Sequence, residues 1–294
     1  MNPSLSSAWR LLRIPFSLFL MPIFWFALSA TPNVSVWRAA AVFFILHLLV
    51  YPASNGYNSY YDRDEGSIGG LKNPPQVTES LYWLVLAFDV LALGLSLVLS
   101  WQFAVMVLVY LLVSKAYSYE GIRLKKYPFL STVVVVLFQG AFTFLMVQVG
   151  SGVPLEEVQD YTNLLLALVS SLFLCGSYPL TQVYQHQEDA RRGDVTLSLL
   201  LGLTGTFLFA GISMLLATSA LLYTYFLRGQ NMHSLLFLLG TFPVILVFMR
   251  WVLKVKKDAN TADFEHTMQM NKVSSLSMSF TFVLILAWQI WHLG

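Results

Sequence analysis

Two short stretches of the chain carry residues that could do chemistry together. The first, YPASNGYNSYYDRDEG, runs from Tyr51 to Gly66, and the second, YPLTQVYQHQEDARRG, from Tyr178 to Gly193. They align without a gap at an offset of 127 residues (178 − 51). Tyr51/Tyr178, Pro52/Pro179, Tyr57/Tyr184, Asp62/Asp189 and Gly66/Gly193 are identical, while Ser54/Thr181, Asn55/Gln182 and Asn58/Gln185 are chemically alike. Asn55, Asn58 and Asp62 fall at i, i+3 and i+7, as do Gln182, Gln185 and Asp189. Each stretch is therefore expected to set two amides and a carboxylate on one face of a helix that ends in glycine. Asp64 and Glu65 add acid beyond the first stripe, and Glu188 beside the second. Carboxylate and amide oxygens without thiols or grouped imidazoles suit Mg²⁺, which usually brings phosphate oxygens with it. Arg13, Lys72, Lys115, Arg123, Lys125, Arg191 and Arg192 are the cations expected near such an anion.

The elements that position these residues belong in lipid. Of 294 residues, 57% are hydrophobic and 11% charged, against about 25% charged in soluble domains. A soluble globule is excluded, and a net charge of +2 argues against nucleic acid as a partner. A bilayer span needs about 20 apolar residues. Such runs predict nine helices near 12–30, 36–53, 80–99, 102–117, 128–150, 161–181, 197–222, 234–253 and 271–292. The expected fold is all-α: one membrane domain over 1–294, with two parallel four-helix repeats (about 1–127 and 128–254) and a ninth helix. Threading nine spans puts fifteen of the seventeen Lys and Arg on the side of the N-terminus, leaving only Arg38 and Arg228 opposite. The positive-inside rule then makes the N-terminus and both polar stretches cytoplasmic, on the plasma membrane if the source is bacterial. The single Cys175 excludes an intrachain disulfide.

Other polar residues have simpler expected roles. Asp89 lies mid-span, where an acid is by default functional and pairing with a structural partner inside the bundle is the equal alternative. His47, Gln139 and Gln148 read as interhelical hydrogen-bonding groups. His186 is expected in a surface role, and Asn271 as the cap of the last helix. Tyrosines crowd the loop ends at positions 57, 60, 61, 117, 119, 178 and 184, where aromatic faces could steady a cation; Tyr117 and Tyr184 are the chosen candidates.

The sequence resembles the UbiA superfamily of intramembrane prenyltransferases. The resemblance rests on N-x-x-x-D at Asn58–Asp62 after the second span, an acidic stretch after the sixth, nine helices, RIPFSLFLMP around Arg13, and YSYEGIRLK from Tyr117 to Lys125. It implies Mg²⁺-dependent ionisation of an isoprenyl diphosphate in a cavity open sideways to lipid, and transfer of the prenyl group to an aromatic or lipidic acceptor. By match of position, Asn58, Asp62 and Asp189 would hold metal, with Asp64, Glu65 and Glu188 as further acids. Arg13, Lys72, Lys115, Arg123 and Lys125, with Asn55, Gln182 and Gln185, would face the substrate. Three positions depart from the family pattern, since Gly66, Gln182 and Gln185 stand where an aspartate is usual. Cyclisation of the prenyl cation without an acceptor, as in terpene cyclases of the same superfamily, is one alternative; a secondary transporter built on the same repeat is another.

Overall fold

The computed structural model describes residues 3–31 and 34–293, apart from the side chains of Arg192 and Leu293. Among the described residues, nine helical spans are long and apolar enough to cross a membrane. They are α1 (Pro3–Ser29), α2 (Val36–Asp62), α3 (Glu79–Leu99), α4 (Trp101–Ser118), α5 (Pro128–Ser151), α6 (Tyr161–Arg191), α7 (Leu197–Leu227), α8 (Asn231–Lys257) and α9 (Phe264–His292). In lipid the backbone has no water to bond with, so helices that satisfy their own amides are the stable choice. Neighbours in sequence pack side by side, and α9 lies against both α8 and α1, closing a ring.

One apolar cluster, rich in aromatic residues, fills the ring away from the polar stretches, and two smaller clusters pack beside those stretches around Tyr57 and around Leu180 and Val183. In the first cluster, Phe26 of α1 stacks on Phe282 of α9 at 4.6 Å and meets Phe144 of α5 edge-on at 5.1 Å. A fully buried amide pair reinforces it. Gln148 donates to Asn163 Oδ1 (3.0 Å) and to the Ala27 carbonyl (3.2 Å), and Asn163 donates to Gln148 Oε1 (2.8 Å) and to the Val158 carbonyl (2.9 Å). His47 likewise bonds the Ser17 carbonyl at 3.1 Å. For Gln148 and His47 the interhelical role read from the sequence holds.

Five spans are not regular: α7 kinks at Gly202 (φ 63°, ψ 176°), and four others depart from the helix as follows. In α1 the helix stops at Arg13, which adopts left-handed φ and ψ of 50° and 42° just before Pro15. In α2 a π-helical turn (Phe44–Val50) precedes Pro52. A proline has no N–H and its ring crowds the carbonyl four residues back, so a wider turn relieves the conflict. In α5 a second π turn (Phe138–Phe142) centres on Gly140, where a Cβ would lie 2.6 Å from the Ser171 backbone. Ser171 stitches that turn to α6 by accepting from the Ala141 amide and donating to the Val136 carbonyl, both at 2.9 Å.

The fourth irregularity corrects an expectation. The stripe at Asn55, Asn58 and Asp62 rides one continuous helix, Tyr51–Asp62. Its counterpart does not. The helix of α6 ends at Leu180, a 3₁₀ turn follows at Val183–Gln185, and a short helix runs His186–Arg192. Pro179 withdraws a donor from the last turn, and the Thr181 hydroxyl takes up the Tyr178 carbonyl at 2.6 Å. The glycine ends also differ. Gly193 closes the second copy with φ of 70°, whereas Arg63, not Gly66, closes the first at φ 47°. Helix α9 begins at Phe264, so Asn271 lies within it and caps nothing.

Candidate active site

A cavity of about 290 Å³ opens at the polar end, lined by both stretches and by the loops beside them. Its mouth carries Arg13, Asn55, Asn58, Asp62, Asp64, Lys125, Gln182, Gln185, Asp189 and Asp194. The rest of its lining is mainly apolar and aromatic, with Phe16, Tyr110, Val113, Tyr117, Val134, Val135, Phe138, Tyr178 and Tyr184, and with polar groups such as Ser114, Ser131 and Gln139 among them. Asp62 and Asp189, 127 residues apart (189 − 62), thus face a common space.

The first bank is built on the end of α2. Asn58 donates to Asp62 Oδ2 at 2.7 Å and to the Ser118 hydroxyl at 2.9 Å, which ties α2 to α4. The other Asp62 oxygen lies 2.5 Å from the Lys125 ammonium. Arg13 is buried; it donates to the carbonyls of Asn55 (3.0 Å) and Gly69 (3.3 Å), so its left-handed backbone is held by the loop that it supports. Gly69 and Gly70 press on the ring of Phe16, leaving no room for a side chain at Gly69.

The second bank follows the broken end of α6. Gln185 reaches across to donate to the Ser67 carbonyl at 3.2 Å, and Gln182 accepts from the Ser198 amide at 3.4 Å. Thr196 donates to Asp189 at 3.5 Å. Beneath the banks, the hydroxyls of Tyr117 and Tyr178 bond each other at 2.7 Å, and Tyr184 meets Phe264 edge-on at 5.4 Å.

Several expected site residues are not brought to the cavity. Lys72 pairs with Glu265 of α9 at the surface, which raises its pKa above the ordinary lysine value. Lys115 pairs with Asp89 at 2.5 Å and lies 5.0 Å over the Tyr57 ring; this supplies the partner that an intramembrane acid needs. Arg123 does not line the cavity but grips Asp194 through two contacts of 3.0 and 3.3 Å. Glu65 is likewise absent from the lining, and Glu188 instead fills the space beside Gly66, where a Cβ would overlap its carboxylate. His186 bonds the Ser198 hydroxyl at 2.7 Å. Arg191 is exposed, and the Arg192 side chain lies outside the described residues. Tyr57, Tyr60, Tyr61, Tyr82 and Tyr119 form an aromatic cluster of their own.

Among the lining residues, Asp194 has no assigned role in the sequence, and Gln139 reads there only as an interhelical hydrogen-bonding group, a role that its bond to Tyr110 of α4 bears out. Asp194 follows Gly193 directly, one residue past the aligned stretch; that acid was the available signal. Gln139 lines the cavity at the α5 bulge, and nothing in its helical surroundings marks it for that place.

The donors fit magnesium by chemistry. Carboxylates of Asp62, Asp64, Asp189 and Asp194 and amides of Asn55, Asn58, Gln182 and Gln185 are hard oxygen ligands on one cavity. Among the described residues no three His, Cys, Asp or Glu already stand together as a metal nest. Phosphate oxygens and water would complete the shell of a Mg²⁺ held by a few carboxylates.

Comparison with known proteins gives the same direction. The UbiA prenyltransferase family matches residues 19–273. The fold is similar to that of a UbiA homolog from Archaeoglobus fulgidus solved with DMAPP and Mg²⁺, at 16% identity and TM-score 0.67 over 96% of this chain and 99% of that one. A UbiA homolog from Aeropyrum pernix K1 superposes with TM-score 0.68 at 16% identity, over 92% and 98%. A structure of digeranylgeranylglyceryl phosphate synthase gives TM-score 0.61 at 17% identity, over 98% and 99%. No curated protein sequence matches the chain. With the family matched from the first span into the ninth and the fold shared from end to end, this integral membrane protein belongs to the UbiA prenyltransferase family.

Proposed function

We propose that the protein ionises an isoprenyl diphosphate at the mouth of this cavity and joins the prenyl group to an aromatic or lipidic acceptor. The observation that carries the reading is the meeting of Asp62 and Asp189 on one cavity whose mouth is charged and whose remaining lining is mainly apolar and aromatic. The neighbour solved with DMAPP and Mg²⁺, and another solved with GPP and Mg²⁺, support the donor class. The neighbouring synthase, named for a glyceryl phosphate lipid, supports a lipidic acceptor.

Asp62, Asp189, Asp64 and Asp194, with Asn58, would hold Mg²⁺, which when bound stabilises negative charge on the departing diphosphate. Arg13 and Lys125 supply positive charge beside those carboxylates. The allylic C–O bond breaks with its electron pair going to the diphosphate oxygen. The apolar walls (Val113, Val134, Val135, Phe138) exclude water that would otherwise trap the prenyl cation. Rings of Tyr117, Tyr178 and Tyr184 line the path, and an aromatic face attracts a cation through its quadrupole. A nucleophilic carbon or oxygen of the acceptor then forms the new bond and releases a proton. We place the mouth on the cytoplasmic side, where fifteen of the seventeen cations fall, and read the two stretches as copies of one duplicated four-helix unit.

The test is a panel of isoprenyl diphosphates given to detergent-purified protein with Mg²⁺, with and without phenolic and lipid-alcohol acceptors. Pyrophosphate release with a prenylated acceptor is expected. A cyclic hydrocarbon or alcohol formed without acceptor would replace transfer by cyclisation, and no release from any donor would end the reading.

A further inference from the structure

Lys125 stands where a metal would have to stand. Its side chain is only 14% exposed, its ammonium lies 2.5 Å from Asp62 Oδ1, and it is 3.9 Å from Asp194 Oδ2. Asp62 comes from the end of α2 and Asp194 from the loop after α6, so one lysine bridges both banks of the cavity. The other Asp62 oxygen is bonded by Asn58. Each oxygen of this carboxylate therefore already has a partner, and the pair is buried, with Asp62 itself 7% exposed. Arg123, from the same loop as Lys125, holds Asp194 from the outer side and keeps it in reach.

A buried carboxylate is costly to leave without a counter-charge, and an ammonium at contact distance competes for it with any other cation. Magnesium surrenders its water reluctantly, so it displaces an ammonium from a carboxylate poorly unless something else receives the ammonium. A diphosphate would receive it. We infer that Lys125 is an exchangeable counter-cation: without diphosphate it occupies Asp62 and keeps divalent metal weakly bound, and it releases Asp62 when a diphosphate oxygen takes its place. Metal and diphosphate then bind cooperatively, each raising affinity for the other by the same factor. This rests on the proposed metal–diphosphate reading of the cavity and adds a positioning role for Lys125 beyond simple attraction of the anion.

The experiment reads metal binding, not turnover. Mn²⁺ is titrated into purified protein without any diphosphate, and protein-bound Mn²⁺ is measured after ultrafiltration, which passes free Mn²⁺ and its soluble pyrophosphate complex. The wild type should bind weakly, and addition of inorganic pyrophosphate should raise the bound Mn²⁺. Lys125→Met and Lys125→Gln should each bind Mn²⁺ alone about tenfold more tightly than the wild type, with a smaller gain from pyrophosphate. Lys125→Arg and the exposed neighbour Lys126→Met should behave like the wild type. A gain in affinity cannot come from a variant that has failed to fold. Should both fail to fold, the wild type decides, because tight Mn²⁺ binding without pyrophosphate overturns the inference. Equal or weaker Mn²⁺ binding in folded Lys125→Met and Lys125→Gln overturns it as well, while the metal–diphosphate reading survives. Absence of Mn²⁺ binding in every protein, even with pyrophosphate, takes down both.

Discussion

At the residue scale, the cations divide by what they touch. Lys125 and Arg13 face the cavity, Arg123 supports Asp194 from behind, and Lys72 and Lys115 are committed to Glu265 and Asp89. Substituting Asp62→Asn or Asp189→Asn should cut Mg²⁺-dependent pyrophosphate release by about a hundredfold or more, as loss of a transition-state charge partner does. Asp194→Asn should also slow release, and Lys72→Met should stay within about threefold of wild type, because an exposed ion pair contributes little. Single-turnover measurements of released pyrophosphate check all four. Composition and spacing made the two stripes legible, since a carboxylate with amides at i−4 and i−7 is a local pattern. They did not show which cation goes where. Lys72 and Lys115 fall on the same membrane side as the acids by span counting, but their partners come from α9 and α3, and only the packed bundle decides that. Asp194 escaped because alignment of the two stretches stops at Gly193 and the acid lies one position beyond.

At the element scale, the nine spans were readable from apolar runs, but their breaks were not. Prolines 52 and 179 occupy aligned positions, yet the first is absorbed by a π turn upstream and the second ends its helix. Periodicity is blind to that choice, which depends on neighbours such as Ser171 holding α5 and α6 together. A Gly140→Ala substitution should destabilise the bundle by about 1–3 kcal/mol, since its Cβ would strike Ser171. Asn163→Leu strands the Gln148 amide and should cost about 1–2 kcal/mol. Thermal unfolding in detergent measures both. Asp160 caps α6 by accepting from the amides of Thr162 (2.9 Å) and Asn163 (3.3 Å), and the Thr162 hydroxyl and these amides hold its pKa below the ordinary carboxylate value. A depressed acid lends stability above its unfolded-state pKa, and that stability is lost as pH falls through the folded value. The Asp160→Ala variant should therefore be less stable at neutral pH, by about 1 kcal/mol, and the gap should close on strong acidification.

At the scale of the whole molecule, the ring of nine spans gathers every cavity-lining acid at one end and leaves the main aromatic-rich cluster away from it. The charge bias predicts which end meets the cytoplasm. A cysteine at Lys126 should react with an impermeant maleimide only after the inner face is opened, and one at Glu157 should react from outside. The reverse pattern would invert the orientation. One contact inside the cavity bears on how long such a catalyst survives. A phenol oxygen is a good trap for an allylic cation, so tyrosines beside one risk being alkylated themselves. Tyr117 and Tyr178 turn their hydroxyls on each other, and Tyr178 has further bonds to Gln182 and Ser131. In the proposed reaction the bond between them would occupy a lone pair of the accepting phenol while both rings remain, and so would limit self-labelling. Changing Tyr178 to Phe removes that protection, and intact-mass spectra should then show prenyl adducts accumulating on Tyr117 as turnovers mount.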